Sequence, residues 1–291
     1  MLLMIDAGNT RIKWALAMTP VPRSVEPTPP AWHASGAVFH DEIDHLGSRW
    51  SARSIGAVII SNVAGPAIAA QLLAQLQALR NARGAAPAVT WFASTATVAG
   101  IDGVSNGYRD PHQLGCDRLA ALVGARVLHR GRDLVVATCG TATTIDALRA
   151  DGRFIGGMIL PGPATMAASL ARGTAQLPAL DLAPPATAAV VFADATEAAI
   201  RSGCLNAQAG AIERAVAAHG NAHCLLSGGA AAWVAPYLQC AFTVVDNLVL
   251  PGLHAVAASQ AGLDAMPAGP SPVSDCNDTA CEKFSEPSRP C

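Results

Sequence analysis

Lysine is almost missing from this sequence: across 291 residues only Lys13 and Lys283 occur. No Gly-x4-Gly-Lys-Ser/Thr run is present either, so a P-loop nucleotide site, which needs a lysine on the phosphates, is excluded. The glycines do not form a Gly-x-Gly-x-x-Gly dinucleotide fingerprint. A basic excess is lacking too. The formal net charge is −2 and the arginines are scattered, which speaks against nucleic acid as a partner. No apolar run approaches the ~20 residues of a membrane span. The first residues lack the basic segment and cleavage site of a secretory signal, so a cytoplasmic protein without a membrane partner is expected. The eight histidines have no metal-ligand spacing. Aromatics are only 4% of residues, so the core must be built from Ala, Val, Leu and Ile.

Apolar residues make up 51% of the chain, enough to fill one large domain or two of about 100–150 residues. Cys116, Cys139, Cys204, Cys224 and Cys240 lie in apolar or Gly-rich surroundings and read as reduced, buried thiols. Cys276, Cys281 and Cys291 fall in a polar tail without zinc-site spacing.

Hydrophobic periodicity gives an alternating α/β order. Strands are expected at Leu2–Ile5, Ile12–Leu16, Val38–His40, Ala57–Ser61, Thr90–Ala93, Leu134–Thr138, Thr143–Leu148, Phe154–Leu160 and Cys224–Ser227. Helices are expected at Ala67–Arg83, Asp117–His129, Gly162–Leu170, Ala195–Ala218, Ala230–Leu238 and Leu253–Ala261. Residues 19–30 hold five prolines and read as a loop, as does Gly100–Pro111. Residues 264–291 are too poor in large apolar side chains to order themselves.

One unit occurs twice: an apolar strand, a turn with Gly and Thr, then a second strand, at 2–16 and again at 134–148. Two similar halves facing each other would form a cleft, the usual place for a nucleotide. In the first turn, Asp6-Ala7-Gly8-Asn9-Thr10, the glycine frees backbone N–H groups that can cradle phosphate oxygens. Asn9 and Thr10 add donors, Asp6 can hold Mg²⁺ and Lys13 can reach the phosphates. The second turn, Thr138-Cys139-Gly140-Thr141, repeats the design. Either turn read alone is equally an ordinary β-hairpin. Ser227-Gly228-Gly229 could admit a flat base or simply link strand to helix. Asp117 could be a general base and Arg118 could hold a carboxylate or a phosphoryl group. Alternatively, Asp117 caps a helix and Arg118 is solvated.

Taken in order over about residues 2–258, these segments resemble the type III pantothenate kinase family of the acetate-and-sugar-kinase, chaperone and actin-like superfamily. The resemblance also includes Asn106-Gly107-Tyr108, Gly156-Gly157, Leu160-Pro161-Gly162 and Thr196-Glu197-Ala198 with Gly203. It implies an α/β fold of two ribonuclease-H-like halves, 1–118 and 119–263, and a homodimer. Residues Asp6, Ala7, Gly8, Asn9, Thr10, Arg11, Ile12 and Lys13 would form the first ATP loop, with Asp6 near Mg²⁺, and Thr141 would contact ATP from the second. Tyr108, Gly115, Cys116, Asp117 and Arg118 would bind pantothenate, with Asp117 as proton acceptor. Thr196 would reach pantothenate across a dimer interface. The family often carries Asp at the start of the second loop to help bind K⁺ or NH₄⁺. Thr138 stands there, and a neutral hydroxyl holds such an ion far less well.

The expected chemistry is transfer of the ATP γ-phosphoryl group to the primary hydroxyl of pantothenate, giving 4′-phosphopantothenate for coenzyme A synthesis. Two rivals remain at the level of sequence. One is the same fold acting on a sugar, acetate or other acceptor. The other is a regulatory or accessory protein that kept the fold.

Overall fold

The structure is a computed structural model that describes residues 1–18, 31–81, 84–98, 103–182 and 190–264. The proline-rich stretch 19–30, the end of the expected helix Ala67–Arg83, part of Gly100–Pro111, and residues 265–291 with their three cysteines lie outside these.

The uninterrupted apolar run at Leu2–Ile5 becomes a strand covered on both faces. β1 (Leu2–Ala7) forms an antiparallel hairpin with β2 (Arg11–Ala17), and β3 (Ala34–Phe39) extends it. A 3₁₀ turn at His40–His45 and α1 (Leu46–Ser51) lead to β4 (Ala57–Asn62), which lies parallel to β1. α2 (Pro66–Gln77) returns the chain to β5 (Ala88–Trp91), parallel to β4. The first sheet therefore has the order β3-β2-β1-β4-β5.

Between Trp91 and Thr97 the chain leaves this sheet. β6 (Thr97–Val98) and β7 (Val104–Asn106) join a second one, and α3 (Cys116–Leu128) follows. Next come β8 (Leu134–Cys139), β9 (Ala142–Leu148), β10 (Arg153–Pro161), α4 (Pro163–Gly173), α5 (Thr196–Ala218) and β11 (His223–Ser227). α6 (Ala231–Val234), β12 (Phe242–Val244) and α7 (Val249–Asp264) complete the described chain. Here the order is β12-β11-β8-β9-β10-β7-β6. Five of these strands, β10-β9-β8-β11-β12, repeat the first sheet strand for strand. In both, a three-stranded antiparallel meander continues into two parallel strands. The doubled hairpin of the sequence is thus the visible part of a doubled, ribonuclease-H-like sheet.

Several expectations change. The loop expected at Gly100–Pro111 contains β7, a three-residue strand too short to show periodicity, whose Ser105 and Asn106 pair with Arg153 and Phe154 of β10. α2 ends at Gln77, where the Arg80 guanidinium bonds the carbonyls of Gln77 and Leu79 and closes the last turn. The helix expected over Ala230–Leu238 is split into α6 and a 3₁₀ turn at Ala235–Tyr237, because Pro236 lacks the N–H to continue an α-helix. α7 starts four residues before the expected Leu253, its first turn capped by Asn247 Oδ1 accepting from Leu250 N at 2.7 Å.

The core is layered. Leu3, Ile5, Val58 and Ile60 face α1 and α2 outside the first sheet, in a cluster with Trp50 and Leu72. Val135, Ala137, Cys224 and Leu226 face α5 and α6 outside the second. Between the sheets lie α3 and α7, where Leu119, Leu122 and Leu253 pack against Leu2, Met4, Leu134 and Val136. Each of these leucines contributes about 1.5–3 kcal/mol by leaving water. The two helices touch backbone to backbone: a Cβ on Gly252 would strike the Ala120 carbonyl, and one on Gly124 the Leu248 carbonyl. Among the described residues no helix is long and apolar enough to cross a membrane.

Candidate functional site

Strand parity places the polar residues. Along β1, Leu2 and Met4 face the layer between the sheets while Leu3, Ile5 and Ala7 face outward. The period of two then points Asp6 inward, at the strand's end. β8 repeats this with Leu134 and Val136 inside, which points Thr138 inward at the equivalent place. By the same parity Ser61 ends β4 and Ser227 ends β11 on the inner side, both buried. Four polar residues thus gather at one end of the interlayer, beneath the two turns.

The turns meet tip to tip. Gly8 N donates to Arg11 O at 3.1 Å and Gly140 N to Ala142 O at 3.0 Å, closing each hairpin. Thr10 Oγ1 and Thr141 Oγ1 are hydrogen-bonded at 2.6 Å. Asn9, Thr10 and Thr141 are exposed, as a ligand loop requires. Ala7 and Ile12 turn their side chains into the outer core, which leaves only their backbone for a ligand. Arg11 stacks on Phe39 with its guanidinium 4.3 Å from the ring centre, and His40 Nε2 lies 2.9 Å from Gly8 O. Lys13 sits on β2 directly opposite Asp6. The third glycine element packs beneath the second turn. Gly228 has φ +94°, and a Cβ there would strike the Cys139 carbonyl.

Both interlayer helices begin at Asp6. Asn247, just ahead of α7, donates Nδ2 to Asp6 Oδ2 at 3.1 Å. Asp117 lies in the first turn of α3, with its Oδ1 accepting from Arg118 N at 2.8 Å. Burial pushes the Asp6 carboxyl up to about 6; the Asn247 bond and Lys13 pull against this, and the charge of Asp117 adds to it. Asp117 is likewise raised by burial, against its bonds to backbone N–H and the charge of Arg118. Cys116 Sγ lies 3.3 Å from Ser61 Oγ and holds the helix start against β4.

Arg118 is buried and tied on three sides. Nε donates to Asp146 Oδ2 at 3.1 Å, Nη2 donates to Asp146 Oδ1, and Nη1 donates to Tyr108 Oη at 3.0 Å. Burial alone would lower its pKa, but the Asp146 and Tyr108 bonds outweigh burial and hold it above its ordinary value. Burial raises the Asp146 carboxyl, against the pull of Arg118. The pair is ionised at neutral pH, because a guanidinium keeps its proton and the two-point geometry suits a carboxylate. A Cβ on Gly157 would strike both partners, so this glycine makes room for the pair. Tyr108 N bonds Asn106 Oδ1 at 3.0 Å, and its ring leans on Phe154 at 5.3 Å.

Arg118 is therefore neither solvated nor free, and Asp117 lies inside the first turn of α3, with Gly115 at the cap position. Asp6, Lys13, Asp117, Arg118 and Tyr108 come together, with Thr10 and Thr141 at the cleft mouth. Thr138 is half-buried, opposite Ser227 and Thr144. Thr196 stands apart: it is exposed at the start of α5, whose body packs on the outer face of the second sheet. Sequence reasoning missed Asp146 and Asn247. A lone acid within the threonine-and-apolar run of β9 was the available signal for Asp146; Asn247 gave none.

Among the described residues no cluster of three or more His, Cys, Asp or Glu could hold a metal by itself. Mg²⁺ does not need one, since it is held by one or two carboxylates together with substrate phosphates. Asp6 fits that donor set: its Oδ2 is fixed by Asn247 and its carboxyl is ionised above pH about 6.

The profile described as type III pantothenate kinase matches residues 2–218. The chain belongs to the type III pantothenate kinase family. A family member from Herminiimonas arsenicoxydans is 54% identical over 264 residues, covering 88% of this chain and 97% of its own. Another, from Janthinobacterium sp. (strain Marseille), is 53% identical with the same coverage. Among solved structures, a Campylobacter jejuni protein assigned to the Baf family superposes with TM-score 0.54 at 17% identity, covering 89% of this chain and 99% of its own. A Sinorhizobium meliloti protein assigned as a 2-dehydro-3-deoxygalactonokinase superposes with TM-score 0.51 at 17% identity, covering 88% and 98%. At that identity the two structures speak for the fold alone. The type III pantothenate kinase relatives speak for the family.

Proposed function

We propose that this protein phosphorylates pantothenate at the expense of ATP, giving 4′-phosphopantothenate, the first step of coenzyme A biosynthesis, in the cytoplasm. The observation that carries the reading is the convergence of Asp6, Asp117 and the Thr10–Thr141 turn contact at one end of the interlayer. The backbone N–H groups of Asn9, Thr10 and Thr141, at the tips of the two turns, cradle the phosphates. Asp6 holds Mg²⁺, with Lys13 beside it; the ion, when bound, neutralises phosphate charge. Asp117 accepts or orients the proton of the pantothenate hydroxyl, a task helped by a carboxyl raised toward neutral pH. Tyr108, Gly115, Cys116 and Arg118 bind the acceptor. The deciding assay follows ADP release with pantothenate, with and without K⁺. Asp117→Asn is expected to lower kcat by about 10²-fold or more. Near-normal turnover in that variant would sink the assignment. With Thr138 in place of a carboxylate, activity is expected to stay within about two-fold when K⁺ or NH₄⁺ is omitted.

The working unit in this reading is a homodimer. Beyond Phe154, β10 pairs only with β9 among the described residues. Along this stretch Ile155, Met158 and Ile159 are exposed, the last at 64%, and Phe192 is 94% exposed. A second copy covers this surface, and Thr196, four residues after Phe192, reaches the partner's acceptor site.

A further inference from the structure

We infer that Asp146 is a positioning residue for the acceptor: it fixes Arg118 in one pose, neutralises it, and so turns it into a two-point hydrogen-bond donor toward the acceptor rather than a free cation for phosphate. The inference rests on the kinase reading above and deepens it. Nothing in the sequence motifs assigns Asp146, yet the fold is arranged around it. The side chain is 2% exposed in the middle of β9. It grips Nε and Nη2 together, so the guanidinium can neither swing nor rotate. Tyr108 Oη takes a hydrogen from Nη1, fixing the third side. Gly157 on the neighbouring strand leaves the space that the pair fills.

Counting donors shows what remains. Arginine has five N–H groups. Three are engaged, which leaves one on each terminal nitrogen. One donor on each terminal nitrogen can serve two oxygens of one acceptor, those of a carboxylate or of a hydroxyl-and-carbonyl pair. Charge points the same way. A guanidinium whose charge is cancelled at contact distance by a buried carboxylate exerts little long-range pull on a polyphosphate. It still discriminates by geometry, and an acceptor lacking the matching oxygens would leave buried donors unpaired. Arg118 follows Asp117 directly in α3, so its pose also registers the acceptor against the proton-accepting carboxylate.

The test is the split between the two substrates. Asp146→Asn keeps the shape of the side chain and removes its charge. In that variant KM for pantothenate is expected to rise about ten-fold or more, while KM for ATP stays within about two-fold. In an Arg118→Lys background the same change should add less than about two-fold, because Asp146 acts through Arg118. Equal rises in both KM values would overturn the inference. So would a fall in kcat with pantothenate KM unchanged, which would assign Arg118 to the transferring phosphoryl group. An undiminished effect in the Arg118→Lys background would do the same. If Asp146→Asn does not fold, Asp146→Glu takes its place: it keeps the charge, moves the guanidinium by one methylene, and is expected to give the same KM split. A wild-type protein without pantothenate turnover would refute the kinase reading itself. A wild type that turns pantothenate over, with either variant leaving its KM unmoved, would refute only the role of Asp146.

Discussion

Replacing Asp6 by Asn should make the protein more stable and leave it inactive. The carboxyl is raised from its ordinary 3.8 to about 6, chiefly by burial. Its folded value lies above its unfolded value, so the folded state holds the proton more tightly. The penalty of burying the charge is therefore full above pH about 6, shrinks as the pH falls through that value, and is gone below 3.8. At 1.36 kcal/mol per pH unit the span is worth at most about 3 kcal/mol. Asp6 is only half-buried and keeps some hydration, so about 1–3 kcal/mol is expected. Asn has nearly the same volume and can still pair with Asn247, so removal of charge is the dominant change. Urea denaturation of both proteins, without Mg²⁺ or nucleotide, at pH 8, 6 and 4 supplies the measurement. Asp6→Asn should be the more stable at pH 8, less so at pH 6, and equal to the parent near pH 4. Taking the difference at each pH cancels the titration of every group that does not feel the charge of Asp6. Mg²⁺ with ATP should then stabilise the parent and not the variant. A variant less stable than the parent at pH 8, or a difference independent of pH, would refute the reasoning that this charge is held against its own solvation.

Two further outcomes follow from packing. Gly252→Ala forces a methyl group into the Ala120 carbonyl at the α3–α7 crossing, where backbone rather than a flexible side chain must yield; a loss of about 1–3 kcal/mol or more is expected in thermal unfolding. Ile159→Asp places a charge on the exposed stretch of β10, and sedimentation should then report a monomer in place of a dimer, with pantothenate turnover reduced in step.

What could be read in the sequence was what is local. Leu2–Ile5 and Leu134–Ala137 are apolar throughout because each strand is covered on both faces, and the glycines after them mark turns wherever the strands pair. The adjacency of Asp117 and Arg118 at a helix start was equally plain. What stayed hidden depends on distance along the chain. Arg118 finds Asp146 twenty-eight residues away, and Asp6 finds Asn247 from the other end of the described chain. Neither contact leaves a periodic trace, and Asn247 looks like any loop asparagine. β7 escaped because three residues cannot display alternation. It is stabilised by Arg153 and Phe154, which pair with it from the far side of two strands and a helix.

The doubled sheet has a consequence for direction. Two copies of one fold set face to face form a nearly symmetric clamp, and a symmetric clamp would accept a nucleotide in either orientation. The copies differ where it matters: equivalent strand ends carry a carboxylate in one lobe, Asp6, and a hydroxyl in the other, Thr138. In the proposed reading the lobe with Asp6 would hold the divalent ion, and that lobe also carries Lys13 where the other has Thr144. Two exchanges of side chain between otherwise matched halves, Asp6 for Thr138 and Lys13 for Thr144, would thus give the cleft a polarity, with the divalent ion held from one lobe only.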